Sequence, residues 1–153
     1  EFYPPPDAGG GAFCYPISMK TTRVLVVDDL PEVRQGLAHV LRLAGRSSTP
    51  RIEVVGESQN GAEAIQQAQA LHPDVILMDL EMPVMDGYTA TRQIKADQPG
   101  VRVIILIIHT DALAIEHARV AGADDFIVKG ASLQTLLNAI LAGNAFETKP
   151  GGS

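Results

Sequence analysis

In Val75-Ile76-Leu77-Met78-Asp79-Leu80-Glu81-Met82-Pro83-Val84-Met85-Asp86-Gly87, four apolar residues run unbroken into an acid, and a proline and an Asp-Gly pair follow. A half-exposed strand would alternate apolar and polar residues. An unbroken run fits a strand buried on both faces of a parallel sheet. Asp79 stands at the carboxyl end of that strand. Pro83 and Asp86-Gly87 punctuate a loop before a helical pattern resumes. Open α/β sheets carry their chemistry at such strand ends. What matters next is which other residues the fold brings there.

Upstream, Arg23–Val27 reads as a short strand that ends in the acidic pair Asp28-Asp29. Pro31 suits a first helical turn, Glu32 complements the helix dipole there, and Gly45 suits the stop. Between them Val33, Leu37, Val40, Leu41 and Ala44 recur at helical spacing. A loop around Ser47-Ser48-Thr49-Pro50 leads to a second strand over 52–56. Asn60 can cap a helix carrying Ala64, Ile65, Ala68 and Leu71, which ends at His72-Pro73 because a residue before proline leaves the α region.

Downstream, the pattern predicts a helix over 87–96, a strand over 103–108 and a helix over 112–121 stopped by Gly122. A strand over 126–128 and a helix over 132–142 complete the chain. Five strands alternating with five helices imply a doubly wound five-stranded parallel sheet with helices on both faces. The expected strand order is 2-1-3-4-5, a flavodoxin-like fold. Its switch point lies between the first and third strands, whose ends carry Asp28-Asp29 and Asp79.

The 153 residues, 46% of them hydrophobic, suit one domain of the usual roughly 100–150 residues. A net charge of −6 argues against direct nucleic-acid contact, which needs clustered Lys and Arg. No apolar run approaches the roughly 18 residues of a membrane span. The single cysteine, Cys14, excludes an intrachain disulfide and suits a reducing compartment. A cytoplasmic protein with no membrane partner is the expectation. Residues 1–18, with Pro4-Pro5-Pro6 and Gly9-Gly10-Gly11, are expected to be a disordered leader or a segment added in cloning, with Met19 as the natural start. The domain is expected over 19–146, and 147–153 as a flexible tail.

Three carboxylates at one strand-end crevice repel one another unless a cation intervenes. Few hard oxygen ligands with room for water suit Mg²⁺ better than an all-protein Ca²⁺ cage. Lys129 follows the fifth strand, where an ammonium can neutralise an acid or hold an anionic oxygen. Three acids, a lysine and a divalent ion fit phosphoryl transfer, with an aspartate as nucleophile. Taken singly these residues read as a helix cap, turns and a surface lysine. Specificity comes from separate strand ends each delivering the required residue type.

Val-Val-Asp28-Asp29, Asp79-Leu-Glu-Met82-Pro83-Val-Met-Asp86-Gly87 and Ala121-Gly122-Ala123 followed by Lys129 resemble the receiver domain of bacterial two-component response regulators. The likeness runs from about residue 22 to 142. It implies that Asp79 is the phosphoacceptor served by a sensor histidine kinase. It further implies that Asp28, Asp29, Asp79 and the backbone carbonyl of Glu81 hold Mg²⁺, and that Lys129 contacts the phosphoryl group. Lys129-Gly130-Ala131-Ser132, with no proline after the lysine, resembles receivers that precede a LuxR-type helix-turn-helix output domain. The resemblance thus implies transcription control through an output domain or partner protein. Homodimers in the family use the first and fifth helices, or the fourth helix and fifth strand. Activity as an enzyme is not expected beyond self-phosphorylation from small donors and self-dephosphorylation.

One position departs from the pattern. Receivers carry Ser or Thr at the end of the fourth strand, fifteen residues before the Gly of Ala-Gly-Ala, and here that position is Ile107; Thr110 comes three residues later. In the family this hydroxyl bonds a phosphoryl oxygen and draws in a switch aromatic, whose position here is Phe126. A lost hydrogen bond to a charged oxygen is worth about 1.5–3 kcal/mol. A degenerate receiver acting as a phosphorylation-independent interaction module therefore stays as the alternative. A Mg²⁺-dependent phosphohydrolase using Asp79 ranks below both. Glu81 and His109 are expected to flank the path of an attacking water and to modulate phosphoryl lifetime.

Overall fold

The computed structural model describes residues 20–141. The expected leader, Met19, Cys14 and the tail lie outside the described residues. Strands β1 (Thr21–Val27), β2 (Arg51–Ser58), β3 (Val75–Asp79), β4 (Arg102–Ile107) and β5 (Asp125–Val128) alternate with helices α1 (Pro31–Gly45), α2 (Gly61–Leu71), α3 (Gly87–Asp97), α4 (Ala112–Val120) and α5 (Leu133–Leu141). All pairings are parallel and the order is β2-β1-β3-β4-β5. The flavodoxin-like fold read from the sequence is the fold observed.

Each central strand is apolar on both sides because it faces two helical layers. Leu25, Val27, Ile76, Met78, Val103, Ile105 and Ile107 meet Ala64, Ala68, Ala90, Ile94 and Ala118 of α2, α3 and α4. Val24, Val26, Val75, Leu77, Ile104, Leu106 and Ile127 meet Ala38, Leu41, Leu136 and Ile140 of α1 and α5. β3 is buried along its whole length, Asp79 included.

Local signals set the boundaries. Asn60 caps α2 by accepting from Glu63 N at 2.8 Å, and Asp86 caps α3 by accepting from Thr89 N at 2.8 Å. Both relieve otherwise orphaned helix donors. α1 ends at Gly45 as expected. There a Cβ would stand 2.3 Å from Ile52 O of β2, so the helix end rests on the neighbouring strand. His72 ends α2 in the left-handed region (φ 50°), where the Pro73 rule anticipates an extended residue.

Candidate functional site

Parallel strands put all their carboxyl ends on one edge, and register decides which residues stand level. Val27 pairs with Met78, Asp79 with Leu106, and Ile107 with Val128. Asp28 therefore emerges beside Asp79, and Lys129 one step beyond the β4–β5 ladder. Lys129 N also donates to Ile107 O at 2.6 Å, fixing the lysine to the end of β4.

The side chains converge as expected. Lys129 Nζ lies 2.9 Å from Asp79 Oδ1 and 3.0 Å from Asp28 Oδ2. Asp28, Asp29 and Asp79 each bring a carboxylate oxygen within 4.8 Å of the others, a spacing that a cation can bridge. Asp28 Oδ1 accepts from Leu30 N at 3.0 Å. Asp28 Oδ2 is buried with the Lys129 ammonium 3.0 Å away, and a carboxylate oxygen keeps a lone pair for a cation beyond that one contact. Burial pushes the Asp79 carboxyl above its ordinary range; the Lys129 hydrogen bond counters this, and Asp28 and Asp29 add to the rise. For Lys129, burial favours the neutral amine, yet Asp79 and Asp28 outweigh it and its pKa is raised. A buried acid cluster that one lysine neutralises only in part, with hard oxygen donors, fits Mg²⁺.

Above the acids opens a crevice of about 380 Å³ lined by Asp29, Asp79, Glu81, Ile107, His109 and Lys129 among others. Glu81 is exposed there, and among the described residues its carbonyl oxygen accepts no hydrogen bond. Glu81 and His109 both line the crevice. Thr110 is exposed in the loop after β4 and does not line it. Ile107 is the last residue of β4, 4% exposed, and belongs to the core under α2, α3 and α4. Half-buried Phe126 packs against that same core. Behind Lys129, an apolar recess of about 320 Å³ lies between α1 and α5, walled by Leu37, Leu106, Ile127, Leu136 and Lys129 itself.

Two contributors have no role assigned from the motifs, although Gly87 itself ends the Asp79–Gly87 stretch. Gly87 N donates to Leu80 O at 2.9 Å, and a Cβ at this position would collide with Asp79 O. Its lack of a side chain is what lets the start of α3 close on the end of β3. Arg34 is the second. Its Nη1 donates to Asp28 O at 2.9 Å and its Nε to Glu57 Oε1 at 3.2 Å. The available signal was a basic residue near the start of a helix, where the dipole disfavours it unless a local acceptor compensates.

A model of the response regulator receiver domain matches residues 24–141. The chain belongs to the response regulator receiver family. The response regulator protein VraR of Staphylococcus aureus is 42% identical over 120 residues, covering 78% of this chain and 55% of VraR. The chain thus spans about half the length of the curated relatives it matches. Among solved structures, a LuxR-family two-component response regulator from Aurantimonas is 32% identical with a TM-score of 0.70, covering 79% of this chain and 83% of that one. The response regulator domain of Thermotoga maritima CheB is 35% identical with a TM-score of 0.69, covering 86% and 100%. Among the described residues of this receiver, no helix is long and apolar enough to cross a membrane.

Proposed function

We propose that this receiver is a Mg²⁺-dependent phosphoacceptor, phosphorylated on Asp79 by a sensor histidine kinase. One observation carries the reading: the Asp79 carboxylate stands at a strand end with Lys129 at 2.9 Å and two further carboxylates in cation-bridging range. An Asp79 oxygen attacks the phosphorus of a phosphohistidine; the O–P bond forms as the N–P bond breaks, and the departing imidazole takes a proton. Lys129 neutralises charge on the phosphoryl oxygens, and Asp28, Asp29, Asp79 and the Glu81 carbonyl would hold the ion. A bound Mg²⁺ supplies charge neutralisation at the transferring oxygens. Glu81 and His109, at the crevice wall, modulate hydrolysis of the acyl phosphate. The chain is a switch and not an enzyme with a separate substrate, and its output runs through a DNA-binding domain or partner protein, as in LuxR-family regulators.

The experiment is intact-mass analysis after incubation with a small acyl phosphate and Mg²⁺. The expected result is one added phosphoryl group, absent from Asp79→Asn. A saturating donor that leaves no adduct would overturn the reading. That outcome favours a constitutive interaction module, which the buried, hydroxyl-free Ile107 at the end of β4 supports.

A further inference from the structure

Arg34 touches the acid cluster through backbone, not through a carboxylate. β1 ends its ladder at Val27, so the Asp28 carbonyl is the first with no sheet partner. Arg34 Nη1 takes it at 2.9 Å, and the same guanidinium is fastened to β2 by Glu57 at 3.2 Å. Asp28 N donates to Ser58 O of the same strand at 3.1 Å. The Arg34 side chain is 13% exposed, so this fork is largely sheltered from water. Asp28 is further pinned by Leu30 N on Oδ1. Among the described residues no hydrogen bond holds the Asp29 carboxylate, so the peptide before it sets its direction.

We propose that Arg34 is a positioning residue for the divalent-cation site: it fixes the plane of the Asp28–Asp29 peptide and so aims Asp29 at the ion. The proposal rests on the Mg²⁺-dependent reading above. Metal sites require ligands held to within about 0.5 Å by the groups behind them. Charge alone makes the opposite demand. A guanidinium near a cation site repels the ion, so deleting a mere bystander would tighten Mg²⁺ binding. Deleting a positioning residue loosens it.

The test follows amide chemical shifts of the whole chain during a MgCl₂ titration, for the wild type, Arg34→Gln and Arg34→Lys, with urea unfolding of each in the absence of metal. Arg34→Gln is expected to weaken Mg²⁺ binding about ten-fold, the usual scale for losing a group that orients a ligand. Arg34→Lys keeps the charge but cannot span both acceptors as a planar fork; a several-fold loss is expected. Arg34→Gln that is less stable yet binds Mg²⁺ as well as or better than the wild type would overturn the proposal. Should Arg34→Gln not fold, wild-type affinity in Arg34→Lys overturns it instead. A folded wild type that shows no Mg²⁺-dependent shifts sinks the cation reading itself.

Discussion

The Lys129 ammonium stands 2.9 Å from Asp79 Oδ1, and it is also 3.0 Å from Asp28 Oδ2. One cation thus partly neutralises two acids that the sheet register forces together. Truncating it leaves those acids buried without compensation. Lys129→Met is therefore expected to destabilise the domain at neutral pH by about 2 kcal/mol, below the 3–5 typical of a fully buried pair because the lysine keeps some exposure. The loss should shrink as the pH falls and Asp79 takes up a proton. Urea unfolding across pH checks it; a pH-independent loss would mean that packing of the lysine stem dominates.

Asp79 has its pKa raised by burial from the ordinary 3.8. Between that value and its folded pKa the native state holds the proton more tightly than the unfolded chain. Stability contributed by this group therefore falls as pH rises through that window, and the ionised form carries a cost above it. Asp79→Asn should unfold at higher urea than the wild type at pH 7, with the gap closing below pH 3.8. A gap of opposite sign at pH 7 would show that the Lys129 pairing outweighs burial.

Mg²⁺ should stabilise the folded state by mass action, reaching about 2.7 kcal/mol at one hundred times its dissociation constant. Asp28→Asn should lose most of that gain. The measurement is the thermal midpoint against MgCl₂ concentration, with NaCl matching ionic strength. An equal rise in the variant would place the ion elsewhere.

Ile107 is a core residue, so Ile107→Thr carries a packing cost of about 1–2 kcal/mol. Its side chain also borders the crevice, where a hydroxyl can reach a phosphoryl oxygen. Donor-treated Ile107→Thr is expected to dimerise more than donor-treated wild type. Sedimentation velocity reads the balance, and an unchanged monomer–dimer ratio would count against a role for a hydroxyl at this position.

Gly87→Ala has no room, because the obstacle is the Asp79 carbonyl and the Leu80 backbone, not a side chain that can swing away. A loss of about 3 kcal/mol is expected, together with slower phosphoryl uptake as the acceptor strand end shifts. Wild-type stability would show that the loop after β3 yields easily.

The sheet was legible because each central strand is apolar on both sides and each helix keeps its own period. Asp28, Asp29, Asp79 and Lys129 were legible because they directly follow or end those strands, where parallel topology leaves little freedom. Strand ends proved a residue or two longer at Thr21, Ser58 and Asp125, since ladder bonds extend past the apolar stretch into polar positions. Arg34 and Gly87 were not legible as site residues. Arg34 acts through a carbonyl oxygen and Gly87 through an absence of atoms, and neither leaves a signature in residue chemistry. The left-handed backbone of His72, whose N–H closes on Ala68 O, was likewise not dictated by Pro73.

Lys129 forms part of the wall of both the acid crevice and the recess between α1 and α5. Its stem is a partition between a wet, ionic compartment and an oily one on the far side of the sheet. One side chain therefore borders both spaces, its charged end at the acids and its residue in the wall of the apolar recess.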